Sequence, residues 1–371
     1  MKRTRVIVAA LALLLCCTAY TAQAKVSKKQ YRAYEAALLD IIKKANVPSI
    51  QLVYVTAEDS LSFTVVNRDF YAATTLPQED YPITDQSVYE ACSISKIPLS
   101  WIAVKMIEEG SLELDRPLVE YYPGLLDFFA TDADKEMARV LTPRLCMIHR
   151  TGLPNKGYKE MKFLCAPDTQ YGYSGPGIYC LQRTIEYLKG ETLTGIARKY
   201  IFDPLGMKNT NYQWRDGYER LHVNGYKASS ITKNKWKTNH PNAAFSMTTS
   251  AAECTAFFRV MMRRWGMSDA SYDMMFAAYA DPVPSDFPER GSFYRALGLC
   301  REDSEQFGTM YYHFGNNGNF KGLAMFIPQT QTSLVYFING INPYNITDAI
   351  QQLFLGNEQP FAMVKAGKPL K

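Results

Sequence analysis

The chain has 371 residues, 47% hydrophobic and 21% charged. These are the fractions of a globular protein and exclude disordered, collagen-like and low-complexity architectures. Its 41 Lys+Arg against 36 Asp+Glu leave a net charge of +5, too little for nucleic-acid binding, which needs a strong basic patch.

Lys2, Arg3 and Arg5 precede an apolar run, residues 6–15, that is too short to span a bilayer. Ala22-Gln23-Ala24 follows with small residues at both cleavage-recognition positions. The pattern predicts a secretory signal peptide over 1–24. The mature chain then starts at Lys25 with 347 residues, and losing three bases and no acids lowers its charge to +2. Cys16 and Cys17 raise a lipoprotein alternative, disfavoured because Leu15 and Cys16 poorly replace the small residue that normally precedes a lipidated cysteine. No later segment is apolar enough to cross a membrane.

Residues 27–45 carry Tyr31, Tyr34, Ala37, Leu38, Ile41 and Ile42 at helical spacing and predict an amphipathic helix. Residues 49–55 and 61–72 are β-rich around the polar Glu58-Asp59-Ser60 and predict an antiparallel hairpin. From Val88 to about Gly206 the pattern is mainly helical, and 213–243 is polar and turn-rich. Ser250-Ala251-Ala252-Glu253 has the form of a capping box and opens a helix over 255–265. Strands are predicted at 296–302, 309–315, 321–328 and 332–340, and a closing helix at 346–356. The ends share one period and the middle another. The expected fold is therefore α+β: an antiparallel sheet built from both chain ends and flanked by helices (about 25–87 and 244–371), with an inserted, mainly helical lobe (about 88–243). A ligand site is expected between the two.

Cys92, Cys146, Cys165, Cys180, Cys254 and Cys300 remain in the mature chain at irregular spacing. Export permits disulfides, but a core of this size needs none, and most are read as buried free thiols. No CxxC or HExxH pattern is present, so no metal is expected.

Ser93-Ile94-Ser95-Lys96 stands at the start of a helical stretch. Positions three apart share a helix face, so the serine hydroxyl and lysine amine can meet. Serine needs a base to become a nucleophile, and lysine serves only if burial or nearby positive charge favours its neutral form. Alone the triplet is weak, because SxxK arises readily by chance. Two further sites add to it. Tyr173 sits in a Gly-rich turn before an apolar helix and can reach a cleft, where a cation makes its phenolate more accessible; a buried structural tyrosine is the bland alternative. His313-Phe314-Gly315 ends a strand before Asn316-Asn317-Gly318, and a strand-edge glycine lets a ligand backbone approach; the bland alternative is a core histidine. Residues 148–154 and 203–207 read as scaffold turns.

Six segments in one order resemble the serine β-lactamase-related superfamily of class C β-lactamases, D-alanyl-D-alanine peptidases and related esterases. They are Ser93–Lys96, GSLELDRP (110–117), HRTGLP (149–154), YSG (173–175), PLGM (204–207) and HFG (313–315), spread over nearly all of 27–356. The resemblance implies an exported hydrolase of the bacterial periplasm or medium, acting without a cofactor on a small ester, amide or peptide. It implies Ser93 as the acylated nucleophile, Lys96 and Tyr173 jointly as base and proton relay, and His313 as holder of the Tyr173 hydroxyl or the substrate. Gly315 and Asn316 would form the substrate edge, with the backbone N–H groups of Ser93 and Asn316 as oxyanion hole.

One position departs from the pattern. Gly175 stands where the superfamily usually has an asparagine that binds the acylamide, which turns the reading toward an esterase or amidase. Restoring asparagine there is expected to raise β-lactam turnover, and Ser174 is a candidate substitute. His313 in place of a lysine weakens carboxylate recognition near neutral pH. A β-lactamase or carboxypeptidase, an acyltransferase, and an inactive binding homologue remain as alternatives. An α/β-hydrolase is excluded because Pro176 stands where the nucleophile elbow of Gly172–Pro176 needs glycine.

Overall fold

The computed structural model describes residues 26–75, 79–227, 230–232, 237–284, 291–340, 344–356 and 368–369. The predicted signal peptide lies outside the described residues.

Helix α1 (Lys28–Lys44) begins at Ser27, which closes a reciprocal capping box with Gln30, and buries Leu38, Ile41 and Ile42. The hairpin follows as β1 (Ser49–Val55) and β2 (Ser60–Val66), with Leu52 opposite Phe63. The second strand is shorter than its sequence predicts. Asn67 accepts the Phe70 N–H, caps a short helix over Arg68–Ala73, and so turns the β-rich stretch away from the sheet.

Six later strands complete the sheet: β3 (Tyr279–Pro284), β4 (Ser292–Arg295), β5 (Cys300–Ser304), β6 (Gly308–Asn316), β7 (Lys321–Ile327) and β8 (Thr332–Ile338). All pairs are antiparallel in the order β2-β1-β8-β7-β6-β5-β4-β3. The two chain ends join where Val53 lies opposite Val335. Strands β3 and β4 escape sequence reading. The first holds two prolines, tolerated because it is the sheet edge and its pairing is irregular, and the second is only four residues long. The segment 296–299 is a buried connection, so β5 starts at Cys300 and not at 296.

Alternation along the strands buries both faces of the sheet. Leu52, Phe63, Leu323 and Tyr336 pack with α1 and the closing helix, α5 (Thr347–Leu355). Val53, Ala324, Val335 and Phe337 pack toward the middle of the chain. There α2 (Lys96–Glu108) is buried at every residue from Lys96 to Val104, which makes it a central helix with no solvent face over that span. Also in this layer are α3 (Gly175–Lys189) and α4 (Ala251–Met262), the latter lying on β7 and β8. Ser250 caps α4 as predicted, but the Glu253 carboxylate accepts from Asn209 N–H and the Thr210 hydroxyl. The six cysteines among the described residues are all free thiols, five of them buried. Among the described residues no helix is long and apolar enough to cross a membrane.

Candidate active site

Ser93 lies on a 3-10 turn, Cys92–Ser95, that runs directly into α2. Cys92, just before it, holds a φ of +53°, the left-handed region that favours glycine. Its thiol donates to the Glu90 carbonyl at 3.2 Å. Strand β6 passes against this turn. It pairs with β5 only as far as Tyr312, while on its other side it stays paired with β7 through Asn316. A Cβ on Gly315 would stand 2.7 Å from the Ala91 carbonyl oxygen and 3.1 Å from Cys92 Cβ. The glycine is what lets the strand reach the turn that carries Ser93.

Lys96 Nζ donates to Ser93 Oγ at 3.2 Å and to the Ala244 carbonyl at 2.6 Å. The lysine is 2% exposed. Burial first, and the Arg295 charge second, bring its amine down to about 7 from the ordinary 10.5. A substantial neutral fraction therefore exists near neutral pH, as a base for Ser93 requires.

The Tyr173 ring lies under that amine, with Nζ 4.9 Å from its centroid, and its hydroxyl is 3.5 Å from His313 Nε2. Burial raises the phenol above its ordinary value, against a lowering hydrogen bond with Ser93 and a lowering Arg295 charge. The sequence-based expectation of an accessible phenolate is thereby corrected: desolvation outweighs the cations, and Tyr173 stays a neutral hydroxyl. His313 is fully buried, and burial with the charges of Arg295 and Lys96 holds it well below 6.5. Its Nδ1 faces the Phe314 carbonyl at 2.7 Å. A carbonyl only accepts, so the proton sits on Nδ1 and the Nε2 lone pair faces the tyrosine. His149, from the HRTGLP turn, packs against Tyr173 with ring centroids 4.2 Å apart and planes tilted by 39°, and accepts the Ser174 N–H at Nδ1.

Ser93 and Lys96 open into a cavity of about 520 Å³ that Asn316 also lines. The Asn316 side chain is turned back to accept the Gly318 N–H at 2.8 Å. Ser174 cannot take over the missing asparagine's work: its hydroxyl donates to Pro154 O and accepts the Gly177 N–H as the cap of α3. Gly175 N–H donates to Asn155 Oδ1 at 3.0 Å. A Cβ on Gly175 would collide with the Tyr158 hydroxyl and stand 3.3 Å from Ala244 Cβ. Asn155 and Tyr158 both line the cavity, so an asparagine at 175 enters only if the Tyr158 side chain moves aside. The expectation that Gly175→Asn raises lactam turnover is revised on this ground.

The structure thus brings Ser93, Lys96, Tyr173 and His313 into one cluster and puts Asn316 on the cavity wall. Sequence reading missed Glu90, Asn155, Tyr158 and Arg295. Glu90 and Arg295 had a faint signal, each being a lone charge within an apolar stretch. Asn155 and Tyr158 had none, because their role depends on what stands at 175.

With the geometry in place, the relationships follow. Residues 40–356 match the beta-lactamase family. The chain belongs to this family. Family membership brings serine-hydrolase chemistry through an acyl-enzyme at the level of the superfamily. Over 142 residues the chain is 27% identical to penicillin-binding protein 4 of Amycolatopsis lactamdurans, covering 34% of this chain and 36% of that protein. The chain thus spans about a third of the length of this curated relative. The D-alanine carboxypeptidase AmpC of Burkholderia cenocepacia superposes with a TM-score of 0.72 at 16% identity, over 89% of this chain and 99% of that one. The octameric penicillin-binding protein homologue of Pyrococcus abyssi gives 0.68 at 18% identity, over 89% and 78%. A D-stereospecific amidohydrolase of a Streptomyces species gives 0.65 at 16%, over 87% and 99%. At these identities the likeness carries the fold alone.

Proposed function

We propose that this beta-lactamase family member is an exported serine hydrolase that cleaves a small ester, amide or peptide through an acyl-enzyme on Ser93. The observation that carries the proposal is the Lys96–Ser93 contact of 3.2 Å combined with a lysine titrating near 7. Neutral Lys96 takes the proton from Ser93 Oγ as the oxygen attacks the substrate carbonyl. The oxyanion that forms is met by the backbone N–H groups of Ser93 and Asn316. The Tyr173 hydroxyl, steadied by neutral His313, hands its proton to the leaving alcohol or amine and is reprotonated from Lys96. Water then attacks the ester on Ser93 by the reverse proton route, releasing the acid and restoring the serine. Peptide and amide substrates are favoured by the activities named for two structural relatives, a D-alanine carboxypeptidase and a D-stereospecific amidohydrolase. The leader over residues 1–24 directs export.

The test is covalent labelling of the purified mature protein by a serine-directed activity probe, read by intact and peptide mass spectrometry. One adduct on the peptide bearing Ser93, absent in a folded Ser93→Ala variant, is the expected result. A protein that takes up no probe, or takes it elsewhere, refutes the proposal.

A further inference from the structure

The cavity beside Ser93 contains an acid that the proposed chemistry does not use. Glu90 stands two residues before the turn that carries Ser93 and is 8% exposed. Asn317 Nδ2 donates to its Oε2 at 2.7 Å. Among the described residues nothing donates to Oε1, which is not sealed from solvent, and Glu90 has no ion pair. The other charged groups of the cavity do not answer it. Lys96 directs its hydrogen bonds to Ser93 Oγ and the Ala244 carbonyl. Lys227 is an exposed residue of the lining, where water screens it. Arg295, elsewhere in the cluster, bonds the Cys300 sulfur.

A carboxylate held this deep is costly unless a cation or several donors meet it. Glu90 has one amide. We propose that Glu90 is a substrate-binding residue whose open oxygen receives a primary ammonium group of the substrate, so that the cavity selects acyl donors carrying an amine. This rests on the acyl-enzyme reading of the same cavity. The geometry distinguishes among cations. A guanidinium seeks both carboxylate oxygens in a fork, and Oε2 is already taken by Asn317. A metal ion needs several ligands, and among the described residues no group of three or more His, Cys, Asp or Glu gathers to hold one. An ammonium is a compact donor that one oxygen can accept. Burial holds the Glu90 carboxyl above its ordinary range, as befits a carboxylate whose cation arrives with the ligand.

The experiment measures binding, so it does not depend on turnover. ω-Aminoacyl anilides with two to five methylenes are titrated calorimetrically into Ser93→Ala protein beside isosteres that carry methyl in place of ammonium. The expected result is a chain length at which the amine binds about tenfold tighter than its isostere, as suits a charge-assisted bond in a desolvated site. In Ser93→Ala/Glu90→Gln, which keeps an acceptor for Asn317, the preference falls to within twofold. In Ser93→Ala/Glu90→Asp the preference survives and its optimum moves one methylene longer, a shift that reads the contact even if the glutamine variant folds poorly. No preferred amine at any length overturns the inference, as does a preference that persists in Glu90→Gln or an optimum that stays put in Glu90→Asp. Probe labelling of Ser93 is a separate readout. Labelling without amine preference keeps the hydrolase and removes this subsite, and amine preference without labelling does the reverse.

Discussion

Replacing Arg295 with methionine tests how the Lys96 amine is kept neutral. Arg295 ends β4, is 2% exposed, and bonds only Cys300 Sγ, at 2.8 Å, while Nε and Nη2 find no hydrogen-bond partner among the described residues. Its charge acts on Lys96, His149 and His313, lowering all three. The fall of Lys96 from 10.5 to about 7 is worth about 5 kcal/mol of preference for the neutral amine. Desolvation is the larger cause, so removing Arg295 returns less than half of it, and Lys96 titrates about one pH unit higher. Near pH 7 the neutral fraction then drops from about one half to about one tenth, and kcat/KM falls about fivefold. Above about pH 9 the two proteins converge. The histidines also move toward their ordinary value, but from well below it, so they titrate under the window in which the lysine limb is read. The assay is kcat/KM for a short-chain ester from pH 5 to 10, with thermal melts as a control; removing an unpaired buried charge is expected to leave stability unchanged or raised. An acidic limb at the same pH in both proteins refutes the electrostatic reasoning. A loss equal at every pH assigns Arg295 to scaffolding.

Lys96→Ala and Tyr173→Phe should each lower kcat by about 10²–10⁴, the usual cost of losing an acid–base group, with near-native circular dichroism; wild-type rates in both would contradict the relay. Gly175→Asn should lower turnover of esters and lactams alike, because its Cβ runs into the Tyr158 hydroxyl. Gly175→Asn/Tyr158→Ala should recover at least tenfold over the single variant, about 1.4 kcal/mol of relieved crowding; no recovery in steady-state assays would show that Tyr158 is not the obstacle.

Much of this protein was legible before folding. The apolar, strand-favouring runs in 49–55, 309–315, 321–328 and 332–340 are local, and a strand covered on both faces demands them, so these strands emerge from the sequence alone. The Ser93–Lys96 pair is equally local, because helical geometry fixes what lies three residues on. Illegible were the edge strands β3 and β4, whose prolines and brevity look like loop until a neighbouring strand pairs with them. The helix over Arg68–Ala73 was likewise hidden by residues that favour strand, and a single Asx cap decided it.

The sequence by itself determined that a serine and a lysine share a helical turn, and that sheet-forming ends enclose a helical middle. Only the tertiary structure decided the site's fine balance: a neutral tyrosine, a lysine held near 7 by burial and by Arg295, a tyrosine hydroxyl standing over Gly175, and an acid without a cation beside Ser93. The physical reason is that periodicity is a property of neighbours along the chain. Desolvation and Coulomb interaction depend on distances across it, and Arg295 lies 199 residues from Lys96.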